Sequence, residues 1–113
     1  MLFRRSKTVS PNAAAAALSR GELQLVDVRE PAELAQARVD GAKHIPLGQL
    51  AGRLGELDRN RPVAFLCASG NRSAMATRTA STAGIDASNV EGDIKRWASS
   101  GLPVKTASRR GAA

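Results

Sequence analysis

The chain has no tyrosine, two phenylalanines, one tryptophan, one histidine and one cysteine among its 113 residues. Each shortage closes off a class of function. So few aromatic rings cannot line the base-stacking groove that single-stranded nucleic acids require. One cysteine forms no internal disulfide and builds no thiolate zinc site by itself, which fits a reducing compartment. No metal and no cofactor are expected. No apolar stretch approaches the ~20 residues that span a bilayer. The arginines of MLFRRSKTVS are not followed by the apolar segment of ~7–15 residues that a secretory signal carries. The expectation is a soluble, cytoplasmic protein with no membrane partner.

What is present points to one globular domain. Hydrophobic residues make up 42% and charged residues 24%, enough apolar side chain to build a core and too little chain for two. Seventeen Lys and Arg against ten Asp and Glu give a formal charge of +7, a balance that suits anionic partners. Several of the basic residues sit near the ends, at Arg4, Arg5 and Lys7 and at Lys105, Arg109 and Arg110. Residues 1–7 and 105–113 are accordingly read as flexible solvated tails around a domain of residues 8–104. Nucleic-acid binding through those tails ranks low.

Helix and strand signals alternate along the domain. Ser10 and Pro11 form a helix start, and NAAAAALSR runs to a stop at Gly21. Leu23, Leu25, Val26 and Val28 suit a buried strand. Pro31 and AELAQAR predict a second helix, HIPL a short extended piece, and Leu47, Leu50, Leu54 and Leu57 recur at helical spacing. A second buried strand spans Val63 to Leu66. Ser73 to Ala83 reads as a helix with Ala76, Ala80 and Ala83 as a narrow stripe, and a weak strand near Asn89 and Val90 precedes a helix with Ile94 and Trp97. Short apolar strands alternating with helices predict an α/β fold with a parallel sheet and helices on both faces.

The lone cysteine lies in AFLCASGNRSA, residues 64 to 74. Ligands of open parallel sheets collect beyond the C-terminal strand ends, and Cys67 falls at such an end, just before a helix. The backbone N–H groups of Ala68, Ser69, Gly70, Asn71, Arg72 and Ser73 can curl into an anion-binding nest. Gly70 allows the tight turn, and Arg72 closes the ring with a permanent positive charge. A thiol at a helix N-terminus beside a cation is held as the nucleophilic thiolate, and the same cradle would stabilise a persulfide. The competing reading makes Cys67 an inert buried hydrophobe, with Ser69 a loop residue and Ser73 a helix cap.

CASGNRS resembles the active-site loop of rhodanese-like sulfurtransferases, in which a strand is followed by Cys, two residues, Gly, one residue, Arg and Ser or Thr. VDVREPAEL, residues 26 to 34, is similar to that family's Asp-Val-Arg-Glu signature, and VEGDIKRWASSGLPV to its closing Gly turn, Trp helix and Gly-Leu-Pro segment. The resemblance covers roughly residues 8 to 104, and three motifs in order make it specific. It implies a three-layer domain and sulfur transfer through Cys67. Thiosulfate would be the anionic donor, and cyanide or an external thiol the acceptor, since no second cysteine exists. Related phosphatases place five residues between Cys and Arg. Four intervene here, and the resemblance implies that the smaller ring suits a sulfane sulfur better than a phosphoryl group.

The sequence departs from the pattern at two places. ARVDGA, residues 37 to 42, keeps only Gly41 and Ala42 of the usual Gly-His-Ile-Pro-Gly-Ala, with Arg38 in place of the His, and the usual Gly-Gly turn is Gly92-Asp93. Asp93 then puts a negative charge near the loop. Asp27 and Arg29 point to one strand face, where they pair or brace loops as structural support. His44 reads as a surface or packing residue, Trp97 as core and Glu30 as a solvated turn charge. Three rivals stand beside sulfur transfer: a phosphatase or arsenate reductase, a non-catalytic binding module on the same fold, and nucleic-acid binding through the tails.

Overall fold

Residues 7–68 and 70–106 are described in a computed structural model. Five parallel strands form the central sheet in the order β1-β6-β5-β2-β4, with β1 at Thr8–Val9, β2 at Gln24–Asp27, β4 at Lys43–His44, β5 at Val63–Leu66 and β6 at Ala87–Val90. Parallel neighbours need crossovers, and here these contain α1 (Pro11–Ser19), α2 (Pro31–Gln36), α3 (Leu47–Arg53) with a 3-10 turn at Leu54–Glu56, and α4 (Asn71–Thr82). After β6, α5 (Asp93–Ser99) leads to β7 (Lys105–Thr106), which pairs antiparallel with β3 (Ala37–Arg38) as a separate ribbon.

Alternation along β5 divides the core between two faces. Val63, Phe65 and Cys67 pack with Leu50, Ala76 and Ala80 toward α3 and α4. Ala64 and Leu66 pack with Ala14 and Trp97 toward α1 and α5. All four β5 residues are fully buried, which is why this strand reads as an unbroken apolar run. Ala76 and Ala80 have no exposed surface, so α4 lies close to the sheet, as the alanine stripe predicts.

Most elements stand where the sequence places them. Ser10 caps α1, its side chain accepting from the Ala13 N–H at 3.1 Å. The leucine-rich segment differs, because its α-helix ends at Arg53 and tightens into the 3-10 turn. Strands β1, β3 and β7 are additional. Lys105 and Thr106, assigned to the C-terminal tail on sequence, pair with Arg38 and Ala37, so strand structure continues two residues past 104. Residues 1–6 and 107–113, the rest of the two expected tails, lie outside the described residues, as does Ser69. No described helix is long and apolar enough to cross a membrane.

Candidate active site

From β2 the chain crosses to β4 on one side, and from β5 it crosses to β6 on the other. The connections diverge between these two adjacent strands, opening a crevice at their C-terminal ends where open sheets bind ligands. Two loops meet there, one carrying Asp27 and Arg29 and the other Cys67.

Arg29 supports the crevice. Its guanidinium grips the Asp27 carboxylate at 2.8 to 3.2 Å, and both side chains are buried. The same group donates to the Ala37 carbonyl at 2.7 Å, tying the loop after β2 to the start of β3. The two residues pair, but β2 ends at Asp27, so Arg29 reaches its partner from the loop after the strand and not from the strand face expected. The half-buried His44 meets the Arg29 carbonyl through Nε2 at 2.7 Å, and the core residue Trp97 donates its indole N–H to the Pro103 carbonyl at 3.1 Å.

The Cys67 loop turns at Gly70, whose φ of 92° no side chain adopts without strain. This brings the Gly70 and Ser73 N–H groups onto Cys67 Sγ at 3.1 and 3.2 Å. Sulfur in a neutral thiol is a weak acceptor. Two converging N–H donors at the first turn of α4 match an anion instead. Ser73 does not cap the helix: α4 begins at Asn71 with Gly70 as its N-cap, and Ser73 contributes its backbone, while its hydroxyl donates to the Gly70 carbonyl at 3.3 Å. Ala68 and Asn71 form the rest of the described turn.

Arg72 does not close the ring over the sulfur. Its guanidinium makes two bonds, at 2.7 and 2.8 Å, to Glu33 on α2. The Arg72 bond holds the Glu33 carboxyl down at about 2, against an ordinary value of 4.5. Glu33 is the site residue that sequence reasoning missed. Its signal was present as the Glu30-x-x-Glu33 spacing of a capping box, and Glu33 Oε1 does accept from the Glu30 N–H at 2.8 Å. Arg38 stands on β3 opposite Lys105 and makes no hydrogen bond to the Cys67 loop among the described residues.

Asp93 reaches the loop from the opposite side. Its Oδ1 accepts the Cys67 N–H at 2.9 Å, and the next residue, Ile94, donates its N–H to the Cys67 carbonyl at 3.1 Å. Burial pushes its carboxyl up, against hydrogen bonds from Cys67 and Ser73 and the charge of Arg72. Cys67 has no exposed surface and packs in the apolar cluster with Val28, Ile45, Leu50, Phe65 and Ala76. The sulfur therefore combines the burial of a core residue with the polar environment of an anion site.

A strand delivering a buried cysteine into a turn of converging N–H groups, between Asp27–Arg29 and the α5 turn, places the three sequence motifs around one crevice. The rhodanese-like domain profile matches residues 10–100. The chain belongs to the rhodanese-like domain family. A sulfurtransferase of Allochromatium vinosum is 36% identical over 84 residues, 74% of this chain and 78% of that protein. Some curated relatives are longer, and the chain matches as little as 25% of one. Among solved structures, a rhodanese-related protein of Thermoplasma volcanium superposes with a TM-score of 0.80 at 31% identity, covering 88% of this chain and 97% of that one. A rhodanese-like domain protein of Staphylococcus aureus gives 0.76 at 33% identity, covering 88% and 99%. Family and relatives together support sulfur transfer as the general activity of this rhodanese-like domain.

Proposed function

We propose that Cys67 carries sulfur as a persulfide. Its thiolate attacks the sulfane sulfur of a donor such as thiosulfate, a new S–S bond forms at Sγ, and sulfite leaves with the electron pair of the broken bond. An external nucleophile, cyanide in an assay or a thiol in the cell, then takes the outer sulfur and regenerates the thiolate. This is covalent catalysis in two half-reactions. The observation that carries it is the pair of N–H donors on Cys67 Sγ at 3.1 and 3.2 Å, which stabilise negative charge on sulfur.

Burial adds a requirement. With no exposed surface at Cys67, the loop must open before a donor reaches the sulfur, and Gly70 is the natural pivot. The Arg72–Glu33 pair is the contact that opening breaks, and its side chains are only about a third exposed at 28% and 33%.

The same burial favours a second reading, a rhodanese-fold binding module in which the loop is kept and the chemistry is not used. Intact mass after incubation with thiosulfate separates the two. A gain of one sulfur atom, reversed by cyanide and absent in Cys67→Ala, is the expected result. A chain whose mass never changes is a binding module.

A further inference from the structure

Strand β2 has four residues and its outer neighbour β4 only two, so part of its edge is open. The Gln24 N–H donates to the Pro62 carbonyl at 2.9 Å and the Val28 N–H to the Leu66 carbonyl at 3.0 Å. Even-numbered residues thus spend their N–H groups on β5, and the Leu25 N–H and Leu23 carbonyl point the other way. There β4 begins too late, with Lys43 and His44 opposite Val26 and Asp27. Neither the Leu25 N–H nor the Leu23 carbonyl has a protein partner among the described residues, although Leu25 is only 1% exposed and Leu23 6%. Buried backbone groups are almost always paired, and here one residue's worth of ladder is missing.

A cleft of about 300 Å³ lies where that residue would be, touching Leu18, Leu23, Leu25, Val26, Gly41 and Lys43. Leu25 packs in the core on the α1 side of the sheet and Val26 in the core on the α3 side, so a cleft that reaches both runs along the strand edge. It exists because the chain turns at Gly41, with a φ of 88°, and passes close to Leu18 instead of β2. Leu18 and Leu23 give the cleft an apolar wall. Its charged lining is Lys43, Glu56 and Arg61. The pairs Lys43–Glu56 and Arg61–Asp58, at 3.2 and 3.0 Å, are exposed, and such pairs are weak enough in water to be exchanged for another carboxylate.

We propose that this slot takes the end of an extended peptide segment from a partner protein, an aliphatic residue followed by an acidic one. The segment runs parallel to β2, and the acidic residue pairs its own carbonyl with the Leu25 N–H and its own N–H with the Leu23 carbonyl. An ionised carboxylate or phosphate alone offers no donor to that carbonyl. Residues that pair across a ladder share a face, so the acidic side chain lies on the Val26 face with Lys43, and the aliphatic residue before it turns toward Leu18 and Leu23. Ala42 holds the next place in the line, so the segment ends or leaves the sheet there. The slot stands at the N-terminal end of β2, and Cys67 lies beyond the C-terminal end of β5, which runs parallel to it. A docked partner therefore leaves the Cys67 crevice uncovered, and docking does not depend on the chemistry at Cys67.

The test titrates the full chain with the blocked peptide acetyl-Thr-Leu-Glu-amide and reads backbone amide shifts by NMR. The expected result is saturable shifts at Leu25, Gly41 and Lys43 with none at Gly70 or Ser73, and slower hydrogen exchange of the Leu25 amide once it has an acceptor. Methylating the Glu nitrogen of the peptide removes the bond to the Leu23 carbonyl and should weaken binding ~5-fold. Acetyl-Thr-Leu-Lys-amide should bind the wild type ~5-fold more weakly than the Glu peptide, and Lys43→Glu should reverse that preference. Arg61→Glu is the second variant should Lys43→Glu impair folding. Absence of saturable shifts in the wild type, shifts centred on the Cys67 loop, full affinity for the methylated peptide, or an unreversed preference in both variants would each overturn the docking.

Discussion

Glu33→Gln tests whether the ion pair beside the sulfur holds the loop shut. Glutamine keeps the shape of the side chain and, through its one oxygen, a place in the capping box, so the change removes the charge and one of the two hydrogen bonds from Arg72. The pair makes two short bonds, at 2.7 and 2.8 Å, but its side chains are about a third exposed, at 28% and 33%. Solvent screening then limits its contribution to ~1 kcal/mol, well below that of a buried pair. Losing that amount multiplies the open population ~5-fold and lowers the melting temperature by ~4–8 °C. Alkylation of the native protein by iodoacetamide reads the open population directly, because Cys67 is the only thiol. It should run ~5-fold faster in Glu33→Gln. An unchanged or slower rate refutes the closure. The pH dependence has a definite sign. The folded state holds the Glu33 carboxyl at about 2 against an ordinary 4.5, so its contribution is present above the ordinary value and disappears as pH falls through the folded one. The gap in melting temperature between the two proteins is thus widest near neutral pH and closes between about 4.5 and 2.

Two further outcomes follow from the packing. Arg29→Met leaves the buried Asp27 carboxylate without its partner and should cost ~3–5 kcal/mol by urea unfolding; a loss under ~1 kcal/mol would mean that the pair is dispensable. Ala80→Leu forces a larger side chain between α4 and the sheet, where Ala80 has no exposed surface. It should cost ~1–3 kcal/mol, and a melting temperature equal to that of the wild type would contradict the close approach of the helix.

The central elements were legible because their signals are local. Val63 to Leu66 form an unbroken apolar run, Ser10 and Pro11 carry helix-start chemistry, and the small residues of the Cys67 turn stand next to one another in the chain. Strands β1, β3 and β7 have two residues each, too few for any alternation to show, and only the partner strand makes them strands. The fate of Arg72 was equally hidden. Its charge was readable, but its partner Glu33 lies 39 positions away, and whether it faces the sulfur or α2 depends on how the loops after β2 and β5 meet.

The residues alone determined the α/β alternation, the position of the thiol at a strand end and the turn that gathers N–H groups, because hydrophobic spacing, capping and glycine conformation act over a few neighbours. Tertiary structure alone decided that Cys67 is covered, that Arg72 binds Glu33 and that Asp93 bonds to the Cys67 backbone from 26 positions away. Those contacts join segments that become neighbours only when the sheet assembles, and burial, which sets the strength of every charge in the site, exists only then.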